Sequence, residues 1–216
     1  MAQSKQPCAI PKSLSAAQFN EFVCPFLTEG RRGPKPKVAL HTMFNYILRV
    51  LYLGCPWKEL SIAHGLDGEP EIHYTRVYRQ FRRWHDEGCF EVIFANSVFA
   101  LHDSGLLDTS VVHGDGTTTA AKKGGDKVVA ICDRRCNVIA PLIAAPGNQN
   151  ESPLMVPALT ALTAIAKAIG LDLLGSIASF DGVYDSKANR KAIFNRGLVP
   201  NILENRRGRK KTVLLQ

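Results

Sequence analysis

The sequence predicts an α+β protein, in which a helical first part, residues 1–108, precedes a mixed β-sheet with flanking helices over residues 109–216. Apolar residues recur at helical spacing before residue 109, whereas β-favouring runs alternate with helical segments after it. The charge also changes: the first part holds 12 basic and 11 acidic residues, net +1, and the second holds 15 and 8, net +7. An excess of positive charge suits a polyanionic partner.

Helices are predicted along the first part from hydrophobic spacing and from signals at their ends. They fall at Ala16–Thr28, Val38–Leu53, a short segment beginning within Cys55–Leu60, Glu71–Glu87 and Phe90–His102. Ser15 is a candidate N-cap of the first helix, and Gly54 and Gly88 follow the ends of two others. We therefore expect residues 1–108 to form a helical domain.

The helix predicted at Glu71–Glu87 has two distinct faces. At about 100° per residue, one face holds Tyr74, Val77, Tyr78, Phe81 and Trp84, and another holds Arg76, Arg79 and Arg83. The aromatic face is expected to pack and the arginine face to meet solvent. A row of guanidinium groups on a helix-turn-helix element can contact DNA phosphates and bases. A basic surface that is merely solvated has the same pattern, so the spacing leaves both interpretations open.

Strands and helices alternate in the second part. Strands are predicted at Thr109–Asp115, Lys127–Cys132, Asn137–Ala144, Gly175–Asp181 and Leu198–Leu203, and helices at Glu151–Ile169 and Ser186–Asn195. Asp185 is a candidate cap of the last helix. Pro141 cannot donate to a β-ladder, which predicts a sheet edge or a bulge in the third strand. The order of these elements matches that of an RNase H-like sheet, in which the third strand is an edge.

Two aspartates lie in matching positions, each after a hydrophobic strand and before glycine and small polar residues. They are Asp115 in VVHGDGTTT and Asp181 in SFDGVYDS. Alternation along a strand places Asp115 on one face with His113, which is more often a packed residue than a ligand. Neighbouring carboxylates repel each other unless a cation joins them, and together they can hold Mg²⁺ for phosphoryl transfer. The alternative is a pair of structural aspartates that cap turns.

Several segments resemble a bacterial insertion-sequence transposase of the DDE class, near family five of the insertion sequences. They are CPWKEL, EIHYTRVYRQFRRW, HGDGTTTAAKKGGD, VVAICDRRCNVIAPLIAAPGNQNES and SFDGVYDSKANRKAIFNRG, and the resemblance extends from about Leu27 to Lys211. It implies an RNase H-like catalytic core with Asp115 and Asp181 as catalytic, metal-binding residues for Mg²⁺ or Mn²⁺. It also implies double-stranded transposon ends as the partner, a bacterial cytoplasmic, nucleoid-associated location and a homo-oligomer.

The family's third acid, a Glu on a later helix in a Tyr-Arg-Glu-like signature, has no counterpart in this sequence. After Asp185 the only acidic residue is Glu204, which precedes RRGRKK in a segment without a helical pattern. Lys122 and Lys123 follow the first Asp and are candidate phosphate contacts, although the family has a longer stretch there. We therefore expect a truncated core that binds DNA but cuts or joins ends very poorly.

Two other functions fit parts of the sequence. One is a non-catalytic DNA-binding fragment that regulates or competes with full-length transposase, and the other is an unrelated RNase H-like nuclease, which the helical first part disfavours. Six cysteines without a Cys-x₂-Cys pair predict thiols rather than a zinc site, in a reducing compartment. No signal peptide or transmembrane helix is predicted.

Overall fold

The computed structural model describes residues 12–28, 37–119 and 125–205. They belong to two compact units, Met1–Asn96 and Ser97–Gln216. The first unit contains helices α1 (Ala16–Phe22), α2 (Leu40–Leu53), α3 (Tyr74–Asp86) and the first half of α4 (Cys89–Asp103), with short 3₁₀ turns at Cys24–Phe26 and Trp57–Glu59. The short helix predicted to begin within Cys55–Leu60 is one of these turns.

Local signals set the ends of the first two helices. The hydroxyl of Ser15 accepts a hydrogen bond from the Gln18 backbone N–H, and the Gln18 side chain accepts one from the Ser15 N–H, so α1 begins with a complete capping box. Gly54 ends α2 in the left-handed conformation at φ 63°, where a residue without Cβ is favoured. Both predicted end signals are confirmed.

Aromatic and branched side chains from α1, α2 and α3 form the core of this unit. Phe19, Phe44, Ile47, Val77 and Trp84 are all buried. The indole N–H of Trp84 donates to the Thr28 carbonyl at 3.1 Å, which satisfies the polar atom of an otherwise apolar side chain.

The second unit is built on a five-stranded mixed sheet. Its strands are β1 (Val111–Thr118), β2 (Asp126–Asp133), β3 (Ile143–Pro146), β4 (Ile177–Phe180) and β5 (Val199–Ile202), in the spatial order β3-β2-β1-β4-β5. β1, β2 and β3 pair antiparallel, whereas β4 is parallel to both β1 and β5. This is the RNase H-like arrangement, and the predicted fold class is confirmed.

Two helices accompany the sheet, α5 (Met155–Ile169) between β3 and β4 and α6 (Lys187–Phe194) between β4 and β5. One face of the sheet is buried through Val112, Ile131, Ala178, Phe180 and Ile202. Positions on the opposite face, among them His113 and Asp115, are exposed. The expectation that His113 is packed is therefore wrong, because its face of the strand lies away from the core.

The turn between β2 and β3 is organised by a buried carboxylate. Asp133 is fully buried, and it accepts hydrogen bonds from the backbone N–H groups of Asp108, Arg135 and Asn137 and from the Asn137 amide. Four donors offset the cost of removing a carboxylate from water. The charge within DRRCN therefore holds the turn together.

The third strand differs from its prediction. Cys132 of β2 forms an isolated bridge with Val138, and Val129 of β2 pairs with Ile143. Between these two pairings the third-strand segment contains five residue steps, whereas β2 contains only three. The two extra residues leave the ladder next to Pro141, and regular pairing resumes only at Ile143. The predicted strand Asn137–Ala144 is wrong in its bounds, although its place at the sheet edge is confirmed.

Among the described residues, one helical segment, Ser152–Ile169, is long and apolar enough to cross a membrane by length and composition. Pro157, Thr160 and Lys167 interrupt its apolar sequence, so it is not the uninterrupted apolar run on which the sequence-based expectation depended. Leu159 and Leu162 in α5 are fully buried within the unit, as in the core helix of a globular domain.

Candidate functional site

Asp115 and Asp181 lie side by side on adjacent parallel strands. The register of β1 and β4 pairs Gly114 with Phe180, so the next position on each strand is an aspartate, on the same face and at the same end of the sheet. Asp115 is inside β1, which continues to Thr118 through its pairing with β2. The expectation that Asp115 ends its strand is wrong, whereas Asp181 directly follows β4.

Both carboxylates are exposed and anchored by a backbone group close in sequence. Asp115 Oδ1 accepts from the Gly116 N–H at 2.8 Å, and Asp181 Oδ1 accepts from the Val183 N–H at 2.9 Å. The second bond caps the 3₁₀ turn Gly182–Tyr184. In the hydrogen bonds found among the described residues, Oδ2 of neither aspartate takes part, which leaves an oxygen on each for a ligand.

The two glycines beside Asp115 make room for packed side chains. An ideal Cβ on Gly114 would lie 2.0 Å from Cε1 of Phe180, and one on Gly116 would lie 2.0 Å from Oε1 of Glu151. At such distances the neighbour must shift to admit a Cβ. At Gly114 the neighbour is the ring of Phe180, whereas at Gly116 it is the end of the flexible Glu151 side chain. The sequence Gly-Asp-Gly therefore places an exposed carboxylate on one face of β1 and two closely approaching neighbours on the other.

Glu151 is a third acidic residue at this end of the sheet, and the sequence did not reveal it. It immediately precedes the turn that leads into α5, where an acidic residue is an ordinary start signal of a helix. Its Oε1 accepts a hydrogen bond from the Tyr184 hydroxyl at 2.5 Å, and its Oε2 lies 3.8 Å from Lys127 Nζ. The only available sequence signal was an acid between the third and fourth strands, which is too weak to assign a role.

Tyr184 lies among the three acids. Its side chain is fully buried, and this burial is the largest cause that raises the pKa of its phenol. The hydrogen bond to Glu151 raises the pKa further, followed by the charge of Glu151 and then by the charges of Asp115 and Asp181. All these causes disfavour the phenolate. Tyr184 is therefore a neutral hydrogen-bond donor to Glu151.

Asp185 has a different role from the predicted helix cap. Ser186 caps α6, because its hydroxyl accepts from the Asn189 N–H. Asp185 instead pairs with the Arg190 guanidinium at 2.9 Å and accepts from the Asn205 N–H at 3.0 Å. It links α6 to the segment after β5.

The predicted DNA-contacting residues fall into three groups. Arg76 and Arg79 are exposed on α3. Arg83 is half-buried and donates to the Gln80 side chain at 2.8 Å, so the expected row of three solvent-facing arginines is reduced to two. Lys122 and Lys123 lie outside the described residues.

The opposite face of α3 packs less completely than predicted. Trp84 is buried and Phe81 is partly buried, but Tyr78 is 41% exposed. The Tyr78 ring meets the Trp57 ring edge-on, at a centroid distance of 5.4 Å. The expectation that Tyr78 belongs to the packed side is therefore only partly met.

The described residues contain no group of three or more His, Cys, Asp or Glu side chains arranged to hold a metal ion. Carboxylate oxygens are the ligands that Mg²⁺ and Mn²⁺ accept, and Mg²⁺ commonly keeps several waters. Asp115 and Asp181 are therefore side chains of the ligand type that such an ion accepts.

Comparison with known proteins gives one family and several solved structures. Residues 14–94 match the family described as "Putative transposase of IS4/5 family". The solved structures include the catalytic domain of Mos1 mariner transposase, with 12% identity, a TM-score of 0.36 and coverage of 52% of this chain and 57% of that one. No curated protein matches the chain.

Two further solved structures are assemblies. The Mos1 transposase paired-end complex with left transposon end has 10% identity and a TM-score of 0.35, over 82% of this chain and 62% of that one. A simian T-cell lymphotropic virus intasome has 19% identity and a TM-score of 0.33, over 46% and 33%. The chain thus spans a little over half the length of the Mos1 catalytic domain.

Proposed function

We propose that this chain, whose residues 14–94 match the IS4/5 transposase family, is an insertion-sequence transposase that acts on double-stranded transposon ends. The observation that carries the proposal is the Asp115–Asp181 pair, in β1 and directly after β4 of an RNase H-like sheet, in a chain whose helical part matches that family. The proposal includes a bacterial cytoplasmic location and a homo-oligomer, since joining two ends requires both to be held together.

Asp115 and Asp181 would hold a divalent ion, Mg²⁺ or Mn²⁺. When bound, such an ion activates a water or a DNA 3′-hydroxyl and stabilises the leaving oxygen. The protein's own contribution is to supply two negative charges in a defined geometry. Each carboxylate is oriented by a backbone N–H through its Oδ1, so little reorganisation is needed when a cation arrives.

The exposed arginines of α3 would contact the DNA. Arg76 and Arg79 are one helical turn apart and exposed, so both reach the same side of the helix. Guanidinium groups bind phosphate oxygens and can form paired hydrogen bonds with guanine. Lys122 and Lys123, close in sequence to Asp115, remain proposed phosphate contacts.

The test combines end binding with strand cleavage. The chain is incubated with duplexes carrying the inverted-repeat ends of its own element, in Mg²⁺, Mn²⁺ or EDTA, with Asp115→Asn as the matched inactive variant. We expect end-specific binding in both proteins and slow, metal-dependent nicking only in the unsubstituted chain. Equal binding to end and random duplexes would contradict the proposal.

A non-catalytic regulator that binds the same ends is the second candidate. One observation favours it: no third metal-binding carboxylate joins the aspartate pair in the part of the chain that the structure describes. Two ligands position an ion less firmly than three. The same cleavage assay separates the candidates, because a regulator would bind ends selectively and nick them no faster than Asp115→Asn.

A further inference from the structure

Glu151 touches both chain segments that carry the aspartates. Its carboxylate fills the space beside the Gly116 Cα, one residue after Asp115. It also accepts the hydroxyl hydrogen bond of Tyr184, which belongs to the 3₁₀ turn that Asp181 caps. One side chain from the segment before α5 therefore contacts the neighbour of each aspartate.

We infer that Glu151 is a positioning residue for the Asp115–Asp181 pair, which holds the two carboxylate-bearing segments together and adds its negative charge to their cation affinity. The inference rests on the proposed function, since it concerns the same metal site. It assigns a role to a residue outside the aspartate pair and outside the late helix on which the family's third acid is expected.

The packing around Glu151 supports a functional role for its charge. Only 16% of the Glu151 side chain is exposed, and removing a carboxylate from water costs free energy unless it is paired. Lys127 Nζ lies 3.8 Å from its Oε2, with 23% of the lysine side chain exposed, so this ion pair offsets that cost only in part. A neutral amide could accept the Tyr184 hydrogen bond equally well, so the hydrogen bond alone does not require a charge.

The link to Asp181 runs through a rigid aromatic group. Tyr184 is fully buried and packs edge-on against Phe180, with ring centroids 5.2 Å apart. Phe180 in turn fills the space beside Gly114. Phe180 and Tyr184 lie on either side of Asp181 in sequence. A movement of Tyr184 on loss of its hydrogen bond to Glu151 would therefore displace the turn that orients the Asp181 carboxylate.

Mn²⁺ binding to the DNA-free, 216-residue chain tests the inference without relying on catalysis. Free Mn²⁺ is measured by electron paramagnetic resonance during titration of Glu151→Gln and Tyr184→Phe, with Asp115→Asn as the reference for loss of the site. Glu151→Gln keeps the acceptor oxygen and removes the charge, whereas Tyr184→Phe keeps the ring and removes the tether. Glu91→Gln on the exposed surface of α4 makes the same change in net charge and serves as the control.

We expect Mn²⁺ affinity to fall about 10- to 100-fold in both variants, as when outer partners of metal ligands are removed, and to stay unchanged in Glu91→Gln. Thermal unfolding in EDTA supplies the second readout: a purely structural role would lower the unfolding temperature of Glu151→Gln and leave Mn²⁺ affinity as in the unsubstituted chain. If Glu151→Gln does not fold, Tyr184→Phe carries the test.

The outcomes separate the inference from the proposed function. Mn²⁺ binding that Asp115→Asn abolishes, but that either Glu151→Gln or Tyr184→Phe leaves intact, overturns the inference alone. Binding that Asp115→Asn does not affect overturns both, because the aspartate pair is then not the site.

Discussion

At the scale of single residues, the environment of Asp115 depends on the absence of side chains on either side of it. A Cβ on Gly114 or Gly116 would lie on the covered face of the sheet, where Phe180 and Glu151 already occupy the volume that it would need. The tight packing of Phe180 against β1 also links the strands that carry the two aspartates. A glycine replacement here would therefore disturb packing and site together.

Gly114→Ala should destabilise the second unit by about 1–3 kcal/mol, the usual cost of overpacking a core. The new methyl would meet the Phe180 ring, so adding Phe180→Leu should relieve part of the strain. Urea unfolding of the two single variants and the double variant measures this coupling. Strictly additive effects would show that the methyl and the ring do not compete for space.

Tyr46 links stability to alkaline pH. Its hydroxyl donates to Glu71 at 2.6 Å and accepts from the Ala63 N–H at 2.9 Å. Burial, and then the hydrogen bond to Glu71, raise the pKa of the phenol above its ordinary 10.0. As pH rises, the Tyr46 phenol therefore ionises in the unfolded state before it ionises in the folded state. Its contribution to the free energy of unfolding is complete below about pH 10 and is lost above that pH, at up to about 1.4 kcal/mol per pH unit.

Tyr46→Phe should accordingly be less stable than the unsubstituted chain at pH 8 and should lose less stability between pH 8 and pH 11. Urea unfolding at the two pH values provides the comparison. Tyr78→Phe, at a 41% exposed tyrosine of the same unit, should keep the full alkaline loss. An identical loss in Tyr46→Phe and the unsubstituted chain would contradict the assignment.

At the scale of elements, α3 combines a packed side with a basic side. Trp84 and Val77 are fully buried, whereas Arg76 and Arg79 are exposed. Arg82 is engaged with Asp86 at 3.3 Å, four residues along the helix. The helix therefore offers two exposed guanidinium groups, those of Arg76 and Arg79, that the described ion pairs do not occupy.

Replacing Arg76 or Arg79 by Ala should weaken DNA binding and reduce the slope of log affinity against log salt by about one unit for each lost phosphate contact. Fluorescence anisotropy with an end duplex at several salt concentrations measures both quantities. Arg83→Ala should change the slope less, since its side chain is half-buried against Gln80. Arg134→Ala, in the exposed hairpin turn of the other unit, is the matched control. Unchanged slopes for Arg76 and Arg79 would mean that their face is only solvated.

At the scale of the whole molecule, two units with separate cores carry separate parts of the proposed function. The family match covers residues 14–94, all of them in the first unit, and it confirms the resemblance to insertion-sequence transposases. The aspartate pair and Glu151 lie in the second. Because each unit has fully buried side chains of its own, such as Ile47 in the first and Leu162 in the second, we expect damage to one unit to remain mainly local.

Ile47→Ala and Leu162→Ala test this independence, since each removes a fully buried side chain from one core at a cost of about 2–5 kcal/mol. Hydrogen exchange should speed up mainly within residues 12–96 for the first variant and within residues 97–205 for the second. Equal acceleration throughout the chain in either variant would show that the units unfold as one.

Much of this protein follows from its sequence alone. Periodicity and local end signals, which neighbouring residues determine, predict the helices and the order of the strands along the chain. The same local signals predict the Ser15 cap, the end of α2 at Gly54 and the matching positions of Asp115 and Asp181 relative to their strands. The family resemblance depends on the same short segments. The assignments of catalytic, metal-binding and DNA-binding residues remain predictions for the experiments above.

The rest was decided by contacts between residues far apart in sequence. Tyr184 and Glu151 are 33 positions apart, and nothing near either residue announces their hydrogen bond. Asp185 could cap a helix by local rules, but Arg190 and Asn205 compete for its carboxylate while Ser186 supplies the cap. The displaced pairing of β3 depends on where the ladder resumes beyond Pro141. Local propensity sets which elements form, whereas packing and charge between them set which side chains meet.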